Sequence, residues 1–277
     1  MSNYEQVATE ARLRTLDLIY KAQTSHIGSN FSAIDIMAIL FDKADPQKDE
    51  VILSAGWKAA SWYYFLWKKG IITEEELNSF CQEGSPFIGL IEPMDRWGLR
   101  FAGGSMGYGL PFGVGVALAK KLRGEEGTVY VLMSDGELAI GTTWEVALIA
   151  AHHKLNNLVV IVDYNGFQAM GRVGGILKVG NRRWDGEEKT DGFSLATALN
   201  SLGWSVKRVD GHNFFRLEDI GDIEYKVGNP LVEHTPTFVI AHTAKGKGVS
   251  FMENNNLYHY KALSQDEYEG AKRELNG

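Results

Sequence analysis

The order of hydrophobic and polar positions alternates between two periods along most of the chain. Apolar residues three or four positions apart predict amphipathic helices, and these fall at residues 4–23, 33–42, 57–69, 140–155, 193–201, 214–226 and 265–275. Short, almost wholly apolar runs predict buried strands, and these fall at residues 50–56, 128–133, 157–165, 204–209 and 237–241. Ser32 is expected to cap the second helix, and Thr73, with Glu76 three residues later, is expected to cap a further short helix.

This alternation of strands with helices is typical of an α/β protein built on a doubly wound parallel sheet with helices on both faces. We find no convincing domain boundary, so the sequence predicts one domain over residues 1–277. In such sheets, ligands bind at the carboxyl ends of the strands. The loops at those ends are residues 54–57, 134–137, 163–167 and 242–247.

Composition narrows the class of function. The net charge of -7 gives no general attraction for nucleic acid or for an anionic membrane. The sequence shows neither the apolar stretch of a signal peptide nor a run of about 18 apolar residues that could span a membrane. Cys81 is the single cysteine, which excludes an intrachain disulfide. We therefore expect a cytoplasmic protein that binds neither nucleic acid nor membrane.

Polar side chains follow two neighbouring predicted strands. Asp135 lies in SDGELAIGTTWEV, just past the strand at 128–133, and Asn165 lies in VDYNGFQ, just past the next strand. One helix and one strand separate the two residues, so adjacent strand ends should bring them together. Carboxylate, amide and backbone carbonyl oxygens could then converge on Mg²⁺. Asp-Gly and Asn-Gly are, taken singly, more often simple turns, and only their combination after two apolar strands favours a metal site.

The run from residue 134 to residue 168 resembles the thiamine diphosphate motif of transketolases. The similarity extends along nearly the whole chain, from SHIGSN to FMENNNLYHYKAL. Ser134 and Tyr164 differ from the usual letters, and neither change is expected to remove a metal ligand. The resemblance implies that Asp135, Asn165 and the backbone carbonyl of Phe167 bind Mg²⁺.

The glycine-rich run GGSMGYG (103–109) leads into a predicted helix that ends near residue 122. Exposed N–H groups before a helix favour an anion, although a lone glycine-rich turn often reflects only tight packing. The run resembles the family turn that lies along the cofactor diphosphate. The resemblance implies cofactor contacts from Gly104, Ser105, Met106, Gly107, Gly136, Glu137, Asn165 and His26.

Two of the seven histidines match family histidines near the reacting centre. These are His26 in SHIGSN and His259 in LYHYKAL, and the resemblance implies that both are catalytic. An imidazole that titrates near neutral pH can move protons on sugar hydroxyls. On sequence alone, a loop histidine is more often a surface residue. His152 and His153 are expected to be packing or surface groups.

Three further positions depart from the family pattern. Trp57 and Leu90 stand where the family usually has histidines that contact the ketose, and Ile140 stands where it commonly has a glutamate. That glutamate takes part in subunit contact and in proton communication between sites. Tryptophan offers no proton acceptor, and each unmade polar contact costs roughly 1–3 kcal/mol. We therefore expect a less hydroxylated, deoxy or otherwise unusual substrate.

The family resemblance implies an activity that needs a second chain. It implies a transferase that uses thiamine diphosphate and Mg²⁺ to transfer a two-carbon ketol unit from a ketose to an aldose. In the family, the glutamate that activates the cofactor lies in a following pyrimidine-binding domain, which this sequence does not include. The chain is therefore either a fragment or one subunit of a split enzyme, and the neat end after a short helix favours the latter. We expect a separate C-terminal subunit, an α2β2 heterotetramer, and sugar or sugar-phosphate substrates.

Other functions remain open at this point. The chain could belong to a different thiamine diphosphate enzyme, as a 1-deoxyxylulose-phosphate synthase-like or decarboxylase-like subunit. It could also be a catalytically inactive binding paralogue. A nicotinamide-binding domain is excluded because no GxGxxG run follows the first strand.

Overall fold

A five-stranded parallel sheet forms the centre of the protein. The computed structural model describes residues 3–104, 106–176, 178–179, 182–183, 195–218, 220 and 234–277. The described strands are β1 Glu50–Leu53, β2 Val129–Ser134, β3 Leu158–Tyr164, β4 Phe167–Gln168, β5 Gly171–Arg172, β6 Lys178–Val179, β7 Arg182–Arg183, β8 Ser205–Asp210 and β9 Thr237–His242. The large sheet has the order β1-β2-β3-β9-β8, and two short antiparallel pairs, β4-β5 and β6-β7, lie outside it.

Helices cover both faces of this sheet. The described α-helices are α1 Asn3–Ala22, α2 Ile27–Lys43, α3 Ala59–Lys68, α4 Glu74–Asn78, α5 Gly109–Arg123, α6 Gly141–His152, α7 Val173–Ile176, α8 Leu195–Ser201, α9 Phe214–Leu217 and α10 Gln265–Asn276. Short 3₁₀ turns span Gly56–Lys58, Asp135–Ala139 and Asn256–His259. No helix in the described residues is both long and apolar enough to cross a membrane.

Two hydrophobic cores lie on opposite sides of the sheet because successive strand residues point to opposite faces. Leu132 of β2 packs with α1, α2 and α3 in the larger core. Its neighbours Val131 and Met133 pack with α5, α6 and α8 in the smaller core. Strands that are buried on both faces explain the almost wholly apolar runs in the sequence. The predicted fold class is confirmed.

The start of α2 differs from the prediction. Helix α2 begins at Ile27, and Ser32 lies inside it, so Ser32 is not the cap. The residue before the helix, His26, has a left-handed backbone with φ 72 and makes no side-chain cap. The Ser32 hydroxyl donates instead to the Ser29 carbonyl and to Asp163. Because the start of α2 is polar, the sequence pattern did not predict that it is helical. In the folded protein, the polar group of Ser32 hydrogen-bonds inside the molecule and not to water.

Other boundaries agree with the sequence pattern or lie outside the described residues. The Thr73 capping box with Glu76 is present, as predicted. The helix predicted at 57–69 begins with a 3₁₀ turn, and its α-helical part starts at Ala59. The described part of the helix predicted at 214–226 ends at Leu217, and most of the remainder falls outside the described residues.

Two backbone segments cross at the end of β1. A Cβ atom placed on Gly56 would lie 1.5 Å from the carbonyl oxygen of Gly103, so only glycine allows this approach. Gly103 opens the glycine-rich turn, and Gly56 begins the turn before α3. The crossing therefore fixes the position of the glycine-rich turn relative to the sheet.

Replacing Gly56 with alanine should separate these two segments. We expect G56A to lower the free energy of unfolding by about 1–3 kcal/mol, since backbone must move to relieve the overlap. Urea denaturation would measure this change. The matched control is Gly115→Ala in α5, where an added Cβ meets nothing within 4 Å. That change should raise stability by about 0.5–1 kcal/mol, and equal stability of the two variants would contradict the crossing.

Candidate active site

A cleft of about 470 Å³ opens at the carboxyl ends of β1, β2 and β3. Its walls come from the segments that follow these strands, from the start of α2 and from the 3₁₀ turn before α10. The lining residues are His26, Ser29, Trp57, Lys58, Leu90, Gly104, Met106, Ser134, Gly136, Asn165, Phe167, Gln168, Ala169, Met170, His259 and Tyr260. The position is the one expected for a ligand site in a parallel sheet.

Asp135 and Asn165 meet at two neighbouring strand ends. The register pairs Ser134 with Asp163 across β2 and β3, so the residues after these strands lie side by side. Asp135 Oδ2 accepts a hydrogen bond of 2.5 Å from the backbone N–H of Gly166. Asn165 Oδ1 accepts one of 3.0 Å from the N–H of Phe167. The structure thus brings together the three residues that the sequence assigned to the metal.

These groups suit a divalent cation. Asp135 is fully buried, and its Oδ1 atom has no hydrogen-bond partner. Burial, reinforced by the negative charge of Asp163, raises the pKa of Asp135 to about 7. A cation would supply the missing partner of Oδ1 and offset this burial. The described residues contain no group of three or more His, Cys, Asp or Glu side chains that could hold a metal ion, so such a site would depend on one carboxylate with amide and carbonyl oxygens.

The glycine-rich turn lies beside these strand ends. Gly104 and Met106 line the cleft, and Ser105 falls outside the described residues. Gly107 has φ 79, and its N–H donates to Glu137 Oε1 at 3.1 Å. A Cβ on Gly136 would lie only 3.2 Å from Met106 Cε. Because Gly104 and Gly136 have no side chains, their backbone atoms face the cleft directly.

Glu137 anchors the glycine-rich turn to the sheet. Its carboxylate is fully buried and accepts from Ser54 Oγ, from the Gly107 N–H, and from the N–H and hydroxyl of Ser134. Burial raises the pKa of Glu137. Because both oxygens are taken up by internal donors, the Glu137 side chain connects β1, β2 and the turn to one another. It is absent from the cleft lining.

The two candidate catalytic histidines lie against each other. Their ring centroids are 5.0 Å apart in an edge-to-face arrangement, and the backbone N–H of His26 donates to the carbonyl of His259 at 2.9 Å. Ser25 Oγ lies 2.7 Å from His26 Nδ1. Both imidazoles line the cleft, so residues far apart in the sequence form one wall.

Both imidazoles are neutral at neutral pH. Burial, followed by the positive charge of Lys245, lowers the pKa of His26 to about 4 and that of His259 to about 3. Lys245 Nζ lies 2.7 Å from His259 Nδ1, and burial lowers its own pKa to about 8. An ammonium can only donate, so Nδ1 of His259 accepts. The ring proton of His259 is therefore on Nε2.

Three charged residues of this site were missed by sequence reasoning. Lys58, Asp163 and Lys245 are fully buried, and Lys58 Nζ forms an ion pair of 2.5 Å with Asp163 Oδ2. Asp163 and Lys245 occur in the strand-end loops that the sequence marked as ligand-binding positions. A charged residue at such an end of an apolar strand is the signal that could have found them.

The other described histidines do not line the cleft. His152 and His153 are exposed on α6 and its end. His212 Nδ1 lies 2.7 Å from Asp35 Oδ2, and His212 Nε2 accepts from the backbone N–H of Ala244. His212 thus has a structural position that the sequence did not indicate.

Comparison with known proteins identifies the family and agrees with the fold. The family described as "Transketolase, thiamine diphosphate binding domain" matches residues 3–276. The chain belongs to this family. A protein of Phocaeicola vulgatus, named as one of the subunits of apulose-4-phosphate transketolase, is 31% identical, over 96% of this chain and 91% of that protein. The 6-deoxy-6-sulfo-D-fructose transketolase subunit SqwG of Clostridium sp. is 28% identical, over 97% of this chain and 94% of that protein.

Longer transketolases match over part of their length. Human transketolase is 29% identical over 98% of this chain and 42% of that protein. The crystal structure of Campylobacter jejuni transketolase shares the fold with a TM-score of 0.83, at 24% identity, over all of this chain and 43% of that chain. The chain thus spans less than half the length of these proteins. The resemblance found in the sequence is confirmed at the level of the family, and its transferase class agrees with relatives named as transketolases or transketolase subunits.

Trp57, Leu90 and Ile140, which depart from the family pattern, lie in the cleft wall or under the glycine-rich turn. Trp57 and Leu90 both line the cleft. Ile140 packs under the glycine-rich turn, where a Cβ on Gly107 would lie 2.5 Å from its Cγ2 atom. The first two residues therefore alter the wall that a substrate would meet, and the third alters the packing beneath the glycine-rich turn.

The lowered pKa values predict how stability depends on pH. A histidine whose pKa is lower in the folded state binds more protons when unfolded, so stability rises with pH between the two values. For His259 this window runs from about 3 to 6.5. We expect His259→Gln to lose less stability than the unchanged protein as pH falls from 6.5 to 4, measured by thermal unfolding. The exposed His152→Gln is the control, and parallel curves for H259Q and the unchanged protein would contradict a buried neutral His259.

Proposed function

We propose that this chain is the thiamine diphosphate-binding subunit of a cytoplasmic split transketolase. Together with a separate subunit, it transfers a two-carbon ketol unit from a ketose to an aldose. The observation that carries the proposal is the buried, unpartnered Oδ1 of Asp135, which lies next to the segment of Asn165, a residue that lines the cleft. Two similar proteins named as transketolase subunits match this chain over 91% and 94% of their own length, which supports the split arrangement.

The cofactor would lie across the floor of the cleft. Asp135, Asn165 and the Phe167 carbonyl would hold Mg²⁺ through oxygen atoms. Backbone at Gly104, Met106 and Gly136 would face the diphosphate, with Ser105 and Gly107 in the same turn. Glu137 would serve the cofactor indirectly, because its carboxylate fixes that turn. When bound, thiamine diphosphate supplies the electron sink for the carbanion formed on cleavage of a carbon–carbon bond.

His26 and His259 would act on the substrate. A neutral imidazole can donate a hydrogen bond from one nitrogen and accept a proton at the other. In His259 the N–H at Nε2 can donate a hydrogen bond to a substrate oxygen, while Lys245 holds Nδ1. Mutual ring contact and the bond between the His26 N–H and the His259 carbonyl keep the two rings in place.

A second polypeptide carrying the pyrimidine domain would cover the cleft mouth. Met170 and Tyr260 line the cleft and are 77% and 65% exposed, and the nearby Leu257 is 68% exposed. Large apolar side chains left open around a ligand site are typical of an interaction surface. Pairing of two such heterodimers would give the α2β2 assembly.

The altered wall favours an unusual sugar or sugar phosphate. Trp57 presents a large apolar face and one N–H donor, and Leu90 presents no polar atom beyond its backbone. Hydroxyls that the missing histidines would contact therefore lose their partners. Two relatives are named for apulose 4-phosphate and for 6-deoxy-6-sulfo-D-fructose. We propose a substrate of comparably modified hydroxyl pattern for this chain.

Removal of the proposed metal ligand should abolish cofactor binding. We expect Asp135→Asn to weaken Mg²⁺-dependent binding of thiamine diphosphate more than about 100-fold, since loss of an outer-shell partner alone costs about 10–100-fold. Isothermal titration calorimetry of the chain with its partner subunit would measure this. Without Mg²⁺, D135N should be at least as stable as the unchanged protein, because it removes a buried charge.

The control for this experiment is Glu145→Gln, which alters an exposed carboxylate on α6. It should bind cofactor like the unchanged protein. Unaltered binding by D135N, or no binding by the unchanged complex, would contradict the proposal. Product formation from pyruvate as sole donor would instead favour a 1-deoxyxylulose-phosphate synthase-like or decarboxylase-like activity.

Restoring histidines should restore recognition of ordinary ketose phosphates. We expect the unchanged enzyme to turn over xylulose 5-phosphate and ribose 5-phosphate poorly. The double variant Trp57→His, Leu90→His should raise kcat/KM for this pair at least about tenfold, the equivalent of one regained polar contact of about 1.4 kcal/mol. Trp57→Phe, which alters size but adds no polar group, is the control. Efficient turnover by the unchanged enzyme would refute the proposed specificity.

A further inference from the structure

Lys58 is a buried cation immediately after Trp57. Its side chain is 1% exposed, and its Nζ atom donates to the Ser29 carbonyl at 3.0 Å and to Asp163 Oδ2 at 2.5 Å. It also contributes to the cleft wall. Burying a lysine is costly unless its charge is paired, so a buried lysine at a ligand site calls for a reason.

Asp163 connects Lys58 with the candidate cation site. Its carboxylate accepts from Ser32 at 2.5 Å, from the Thr243 hydroxyl and from Asn165 Nδ2 at 3.3 Å, in addition to Lys58. These donors come from α2, the turn before α3, the end of β3 and the segment after β9. Asp163 therefore holds a fixed position at the centre of four segments.

The orientation of the Asn165 amide follows from this arrangement. Its Nδ2 atom faces two acceptors, Asp163 Oδ2 at 3.3 Å and Ser32 Oγ at 3.4 Å. Its Oδ1 atom is therefore turned the other way, towards the Phe167 N–H. The reverse orientation would place the amide oxygen against the Asp163 carboxylate, where two acceptors would repel each other.

We propose that Lys58 is a positioning residue for the divalent cation: by fixing Asp163, it holds the Asn165 amide with its oxygen turned towards the metal. This inference rests on the proposed function and adds a residue that the sequence did not single out. Outer-shell groups orient metal ligands in the same way in other sites, and their loss typically costs about 10–100-fold in metal affinity.

The direction in which cation affinity changes when Lys58 is replaced distinguishes a positioning role from its alternatives. Lys58 carries a positive charge near the proposed cation, so removal of that charge alone would strengthen cation binding. A residue that merely fills space would leave cation affinity unchanged when replaced by one of similar volume. Only a positioning role predicts weaker cation binding when the charge is removed.

The test uses Mn²⁺ as the probe, since free and bound Mn²⁺ can be separated by electron paramagnetic resonance. The complex of this chain with its partner subunit is titrated in saturating thiamine diphosphate. Lys58→Met should raise the Kd for Mn²⁺ about 10–100-fold. Lys58→Gln keeps an N–H donor for Asp163 and should raise it less. Lys68→Met, at the exposed end of α3, should leave the Kd unchanged.

A double-mutant cycle tests whether Lys58 affects the cation through Asn165. In an Asn165→Ala background, Lys58→Met should cause no further loss of Mn²⁺ affinity, because the ligand it positions is gone. Additive losses would overturn the route through Asn165. An unchanged or lower Kd in K58M would overturn the inference as a whole.

Folding and function are checked separately. Circular dichroism and thermal unfolding report whether K58M is folded. If it is not, the Kd of K58Q for Mn²⁺ is used instead: a raised Kd supports the inference, and an unchanged or lower Kd overturns it. An unchanged complex that bound no Mn²⁺ would overturn the proposed function together with this inference. Binding by the unchanged complex with no loss in K58M would overturn the inference alone.

Discussion

Two carboxylates, Asp135 and Asp163, lie fully buried at the ends of adjacent parallel strands. Two buried negative charges repel each other, and most of the hydrogen bonds and ion pairs of the site offset this repulsion and burial. Burial alone would raise the pKa of Asp163, but Lys58 and the hydroxyl donors hold it below its usual value. Asp135 receives only backbone donors and keeps one oxygen without a partner. The hydrogen-bonding capacity of Asp163 is thus satisfied, whereas Asp135 keeps one oxygen without a partner.

A second constraint is the close packing of backbone around this pair. Gly56 and Gly103 touch at the end of β1, and Glu137 connects the glycine-rich turn with β1 and β2. These contacts use backbone atoms and one carboxylate, and they leave the cleft side of the turn free. The glycine-rich turn is therefore held by contacts that do not include the Trp57 and Leu90 side chains of the cleft wall. This division explains how one family can keep a cofactor site and change the substrates around it.

Much of this fold could be predicted from the sequence, because strands buried on both faces leave apolar runs and helices leave a 3.6-residue period. The convergence of Asp135 and Asn165 also followed, since it depends only on the βα repeat. The start of α2 could not be predicted in the same way, because the partners of Ser32 and Asn30 lie far away in the sequence. The burial of Lys58 and Lys245 in the site could not be predicted for a related reason. A lysine is normally a surface residue, and only the folded chain shows that Lys58 pairs with Asp163 and that Lys245 bonds to Asn256 and His259.

The contact between His26 and His259 joins residues that are separated by most of the chain. Loop closure over such a distance is entropically expensive and slow. This wall of the cleft thus forms only when both ends of the chain are folded, since each end supplies one of its two imidazoles.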